Sequence, residues 1–144
     1  MFEKGLNMDF SSKKVLIVED DLVLSLIEER LVQKMGHEVL AVVDNGRDAL
    51  KAVKQHQPDI VLMDVVIKGE WDGIDTAKEI EKRYAIPIIY ISGSSGSQSY
   101  KRAKEIGSTT FLSKPIAIDA LKKAFQDAFK NEKVVQHRGK QKAG

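Results

Sequence analysis

Short apolar runs alternate with amphipathic stretches along almost the whole chain. Residues 14–18, 38–43, 59–63, 87–91 and 109–113 are rich in Val, Ile, Leu and Phe. Runs of this length and type read as buried strands. Gln57-Pro58 leads into the third run and Pro87 opens the fourth. Between the runs, apolar residues recur at helical spacing. Residues 21–35 predict a helix in which Leu22, Leu26 and Ile27 share a face with Leu31, with Met35-Gly36 as its stop. Asp44-Asn45-Gly46 is a turn able to cap a helix through about His56, with Ala49, Leu50 and Val53 inward. Further helices are predicted over 73–84, through Ile74, Ala77 and Ile80; over 97–106, ending at Gly107; and over 117–130, through Ala120, Leu121, Ala124, Phe125 and Ala128.

Five successive β-α units argue for a parallel sheet with helices on both faces, because strands apolar on both sides must be covered twice. Right-handed crossovers leave few topologies. In such open sheets ligands bind beyond the carboxyl ends of the strands, where the strand order reverses. The Ser/Gly stretch 92–97 is too short for a domain linker and reads as a mobile loop beside that edge.

Composition narrows the class. The chain has 144 residues, 42% of them apolar and 31% charged, which fits one soluble domain. Without cysteine it can form neither a disulfide nor a thiolate metal site. No apolar run approaches the ~20 residues of a membrane span. Met1-Phe2-Glu3-Lys4-Gly5 lacks the apolar core of a signal peptide, so a cytoplasmic protein is expected. The net charge of +2 is concentrated in a tail, where Lys133, Arg138, Lys140 and Lys142 face only Glu132. The rest is slightly acidic and lacks the electrostatic footprint of a nucleic-acid binder. The expected organisation is an N-terminal extension over 1–12, one domain over 13–130 and a basic flexible tail over 131–144.

The chemistry gathers at the strand ends. Asp64 closes the third run, and a carboxylate there is poorly solvated unless something pairs with it. Glu19 and Asp20 follow the first run, Ser92 the fourth and Lys114 the fifth. Mg2+ prefers hard oxygen ligands, which this acidic set supplies. Asp21 is better read as the start of the following helix. Asp64 is either a metal ligand or a nucleophile that forms an acyl phosphate. A phosphoryl group on it would be neutralised by Mg2+, a lysine and a hydroxyl donor. Pro115 biases Lys114 toward an extended backbone. His37 and His56 read as solvated and His137 lies in the tail. Trp71, in the loop beside the site, is an exposed contact or a natural fluorescent probe.

Together, Val-Leu-Ile-Val-Glu-Asp-Asp at 15–21, Asp64 with Asp72-Gly73 beyond it, Ile-Ser-Gly at 91–93 and Lys114-Pro115 resemble the response-regulator receiver domain of two-component signalling, over about residues 13–130. The resemblance implies a flavodoxin-like, doubly wound α/β fold with a five-stranded parallel sheet in the order 2-1-3-4-5 and five helices. It implies Asp64 as phosphoacceptor, Glu19 and Asp20 as the acidic pair for Mg2+, and a backbone carbonyl of Val66 as a further metal ligand. Ser92 becomes the switch hydroxyl, Lys114 the phosphate-binding lysine and Phe111 the aromatic switch. Two departures stand out. The stretch from Val65 to Gly73 lacks the usual Met-Pro and reaches Asp-Gly one residue later, and Gly93 stands where the family often has Ala.

The function implied is a phosphoacceptor signalling domain of a phosphorelay, not an enzyme acting on a separate substrate. Its partners would be a sensor histidine kinase or phosphotransfer protein and an unidentified downstream protein, without nucleic acid or membrane and with a homodimer possible. Two rival functions are weighed against it: a constitutive docking module with this fold, whose signature would be the loss of Asp64 or Lys114, and an aspartyl-nucleophile phosphatase. The phosphatase reading lacks its usual second Asp, because Val66 stands two residues after Asp64.

Overall fold

Alternation within the strands builds two apolar layers, because successive side chains point to opposite faces of a sheet. The computed structural model describes residues 11–93, 101–102, 105 and 110–130. Within them lie β1 (Lys14–Val18), α1 (Leu22–Lys34), β2 (Glu38–Val43), α2 (Gly46–His56), β3 (Ile60–Asp64), α3 (Gly73–Glu81), β4 (Ile88–Ser92), β5 (Thr110–Ser113) and α4 (Ile118–Phe129). Leu16, Val18, Val61, Met63 and Tyr90 pack with Ala49 and Val53 of α2 and with Ile74, Ala77 and Ile80 of α3. Val15, Ile17, Ile60, Leu62, Ile89 and Ile91 pack on the other face with Val32 of α1 and with Leu121, Ala124 and Phe125 of α4.

All pairings are parallel and the strand order is β2-β1-β3-β4-β5, as the resemblance implies. The register brings the carboxyl ends level. Val18 pairs with Met63, Asp64 with Ile91, and Ser92 with Ser113. Every strand-end polar residue singled out in the sequence therefore reaches one edge of the sheet. Four helices are described in full. The helix predicted over 97–106 falls mostly outside the described residues, within which Lys101 and Arg102 are helical.

Helix ends follow local chemistry. Asp21, Asn45 and Asp72 are N-caps whose side chains accept backbone N–H groups of Leu24, Asp48 and Asp75. Asp75 also accepts the N–H of Asp72, completing a capping box. After α1 the chain turns at Gly36, whose φ of 91° is readily adopted by glycine.

Two expectations need correction. The apolar face of α1 does not lie on the sheet. The helix buries Ser25, Glu28 and Val32 and leaves Leu22, Val23, Leu26 and Ile27 exposed, Leu22 by 74%. Its rotation is held at the entry, where the Asp21 carboxylate binds the N–H of Leu24 and the Asp21 N–H binds Glu19 Oε2. A helix pinned so soon after its strand turns the face that the cap dictates. His37 is also half-buried, not solvated. It stacks on Phe125 with ring centroids 5.0 Å apart, and its Nδ1 accepts the Lys13 N–H at 3.0 Å. Burial and the nearby Lys13 push its pKa below the ordinary histidine value.

Gly73 lets α3 begin directly behind β3. Its N–H donates to the Val65 carbonyl at 2.8 Å, and a Cβ there would collide with the carbonyl oxygen of Asp64. Backbone cannot yield as a flexible side chain can. Gly73→Ala is therefore expected to cost about 3 kcal/mol, read as a lower urea midpoint; an unchanged midpoint would contradict this packing.

Candidate functional site

Asp64 is the last residue of β3 and only 2% exposed. Its Oδ1 accepts the Val66 N–H at 3.2 Å and its Oδ2 accepts Lys114 Nζ at 3.0 Å. Lys114 arrives just after β5, where its N–H donates to the Ser92 carbonyl at 3.0 Å and so ties it to the end of β4. The Lys114-Pro115 peptide is cis. The same ammonium lies 3.4 Å from Glu19 Oε1. Glu19 follows β1, is 2% exposed, and donates its own N–H to the Val43 carbonyl of β2.

Glu19, Asp20 and Asp64 each place a carboxylate oxygen within 4.8 Å of the others, with Asp20 exposed and the other two buried. Beside them opens a cavity of about 390 Å³ lined by Glu19, Asp20, Leu22, Ser25, Val42, Val43, Asp44 and Asp48. Ser92 is buried at the end of β4 next to β3. The Val66 side chain is 68% exposed. Phe111 on β5 stacks on Tyr90, with ring centroids 5.3 Å apart.

The electrostatics are unbalanced. Burial, reinforced by Glu19 and opposed by Lys114, raises Asp64 to about 7. Burial also raises Glu28 to about 9, again with help from Glu19. Burial alone would depress Lys114, but Asp64 and Glu19 outweigh it and hold the ammonium above the ordinary lysine value. Among the described residues one ammonium, that of Lys114, serves this set of acids, and Glu19 Oε1 and Glu28 Oε1 are buried without a hydrogen-bond partner. A group of oxygens short of positive charge and opening on a polar cavity suits a hard divalent cation such as Mg2+.

The loop that departs from the familiar pattern is tied down on both sides. Lys68 pairs with Asp44 at 2.8 Å and bridges to Asn45, while Gly69 takes a φ of 104°. Arg47 pairs with Glu70 at 2.6 Å and lies over the half-buried Trp71 ring at 4.3 Å. Arg102 reaches Asp72 and Asp75, both at 2.7 Å. Arg102 and Glu28 escaped sequence reasoning. Glu28 lies off the leucine face of α1, so the hydrophobic pattern gives no signal for it, and nothing local announces that Arg102 meets the start of α3.

Comparison with known proteins shows the family. Residues 15–126 match the family described as the response regulator receiver domain. The chain belongs to the response-regulator receiver family. It is 31% identical over 109 residues to the transcriptional regulatory protein PdtaR of Mycobacterium tuberculosis, covering 76% of this chain and 53% of that protein. The receiver thus spans about half the length of the curated relatives it matches. Among solved structures it is similar to the signal receiver domain of a modulated diguanylate cyclase from Desulfovibrio desulfuricans, with a TM-score of 0.78 and 31% identity over 87% of this chain and 99% of that one. It also shares its fold with the receiver domain of the sensor histidine kinase PA1611 from Pseudomonas aeruginosa, whose structure has a magnesium ion coordinated in the active-site cleft. The TM-score there is 0.75, with 23% identity over 83% of this chain and 99% of that one. No helix among the described residues is long and apolar enough to cross a membrane.

The raised Asp64 carboxyl makes the cation-free receiver sensitive to pH. Its pKa is about 7 when folded against an ordinary carboxyl value of 3.8, so the folded state holds more protons between those limits. Stability must then fall as pH rises through that window. The raised Lys114 acts only at much higher pH. The melting temperature of metal-free protein is expected to drop between about pH 5 and pH 7, and Asp64→Asn to flatten the slope, with Glu28 supplying what remains. A melting temperature that rises over this range would contradict the assignment.

Proposed function

We propose that this receiver accepts a phosphoryl group on Asp64 from a histidine kinase or phosphotransfer protein, with Mg2+ bound by Glu19, Asp20, Asp64 and the Val66 carbonyl. One observation carries the reading: a buried strand-end carboxylate holds a lysine ammonium at 3.0 Å inside a three-acid cluster. Mg2+ would neutralise charge on the transferring phosphoryl oxygens. The remaining work falls to the chain. An Asp64 oxygen attacks phosphorus in line with the leaving imidazole nitrogen, the new O–P bond forms as N–P breaks, and the nitrogen keeps the electron pair and takes a proton. Lys114 moves from pairing the free carboxylate to binding a phosphoryl oxygen, and Ser92 donates its hydroxyl to another.

Drawing Ser92 and Lys114 inward favours a second arrangement of the β4 and β5 ends, with Phe111 following, and alters the surface offered to a downstream protein or a second copy. The domain extends over 13–130, flanked by 1–12 and 131–144, and works in the cytoplasm as a signalling module. A docking module would have no use for Asp64 and Lys114 held together. An aspartyl-nucleophile phosphatase would need an acid two residues on, where Val66 stands.

Incubation with a small phosphodonor and Mg2+ is expected to add the mass of one phosphoryl group. Chelation or Asp64→Asn should abolish the gain, and Lys114→Ala should slow it about 100-fold or more. A gain that survives Asp64→Asn would overturn the assignment of the acceptor. The exposed, apolar Val66 side chain offers water no hydrogen bond beside Asp64. Val66→Asn should therefore shorten the phosphoryl lifetime, read from the decay of the mass shift; an unchanged lifetime would contradict that role.

A further inference from the structure

A second cavity, of about 400 Å³, shares no lining residue with the acidic one beside Asp64. From α2 it takes Arg47, Leu50, Lys51 and Lys54, whose spacing of three and four residues puts them on one face of the helix. Arg83 and Tyr84, just past α3, add to the wall. Trp71 comes from the loop that reaches Asp-Gly one residue later than the familiar pattern, so that departure delivers a ring to this cavity. Among the described residues four cations and no acid line it, although the chain outside its tail is slightly acidic. Leu50 and Tyr84 pack against the core and Trp71 is half-buried, so the same cavity has an apolar, partly aromatic floor.

Like charges at these helical spacings destabilise a helix, and an anion among them reverses that effect. Among the described residues Lys51 and Lys54 form no ion pair. Arg47 and Arg83 hold the carboxylates of Glu70 and Glu79, at 2.6 Å and 3.7 Å. The Arg47 and Glu70 side chains are 61% and 64% exposed, and ion pairs so exposed contribute little. A further carboxylate would merely replace the ones in place. A phosphate group carries more charge and more acceptor oxygens, and it matches both guanidinium and ammonium donors. A lone phosphate would leave the floor unused, and a neutral ring would leave the cations unused. The volume is that of a small-molecule site. We propose that this cavity binds a small organic anion in which phosphate is joined to an aromatic ring, the chemistry of a nucleotide. Lys51, Lys54 and Arg83 hold the phosphate, and Leu50, Trp71 and Tyr84 receive the ring. The site takes no part in phosphoryl transfer to Asp64 and does not depend on that reading.

Calorimetric titration of the full chain with ADP tests this, with a chelator present so that no cation links the nucleotide to the carboxyl cluster. The dissociation constant is expected to lie below about 1 mM. The indole N–H signal of Trp71, the one tryptophan in the chain, should shift with the same midpoint. Pyrophosphate and adenosine each carry half of the chemistry and should bind about tenfold more weakly or worse. Replacing both lysines, by Lys51→Glu and Lys54→Glu, should lower ADP affinity about tenfold or more. The urea midpoint of that variant should hold or rise, because both side chains are exposed. Arg83→Gln should weaken binding in the same direction. Pyrophosphate binding as tightly as ADP would overturn the proposal, since the ring would then play no part. Unchanged ADP affinity in the charge-reversed protein would overturn it by placing the nucleotide elsewhere. An oligoglutamate peptide binding more tightly than ADP would overturn it in favour of an acidic partner segment. So would the absence of any ADP binding up to about 5 mM.

Discussion

A lysine ammonium held among buried carboxyl groups is the interaction on which the rest of this structure depends. Lys114 lies 3.0 Å from Asp64 and 3.4 Å from Glu19, and both acids are almost free of solvent. In such a medium an unpaired charge costs several kcal/mol, so the ammonium is needed simply to keep the acids tolerable. Yet one positive charge cannot satisfy them. Burial first, and the neighbouring Glu19 next, raise the carboxyl groups of Asp64 and Glu28. A receiver built this way is incomplete by charge, and a cation followed by a phosphoryl group is the natural way to complete it.

The fold exists in this form to bring those groups together. β4 separates β3 from β5, so Lys114 must reach across the end of β4 to Asp64, and its backbone bond to the Ser92 carbonyl steadies that reach. Gly73 allows α3 to start against the Asp64 backbone. Asp72 caps α3 and, with Asp75, receives Arg102. Lys68 ties the intervening loop back to Asp44 beside β2. Each link holds one of the segments that surround Asp64.

Much of this was legible in the residues. The inner strands are short runs of large and β-branched side chains, and a polar residue after each run marks the functional edge without any knowledge of packing. The cap of α2 was legible in the Asp44-Asn45-Gly46 turn, and Asp21 was read at the start of α1, whereas the capping role of Asp72 was not read. The burial of α1 was not. Leucines at helical spacing define a face but not its rotation, and the bonds that set it run through Glu19 and Asp21. Glu28 was hidden for the same reason. Arg102 was invisible because its partners are distant in sequence, and His37 because its stacking on Phe125 joins two ends of the domain.

The central claim is that the site is a carboxyl cluster short of positive charge. Calorimetric titration with Mg2+ near pH 7, repeated in buffers of different ionisation enthalpy, tests it most directly. A cation arriving at Asp64 must displace the proton that burial has stabilised, so binding should release protons to the buffer, and Asp64→Asn should lower that release together with the affinity. Binding without proton release, or no binding at all, would contradict the account.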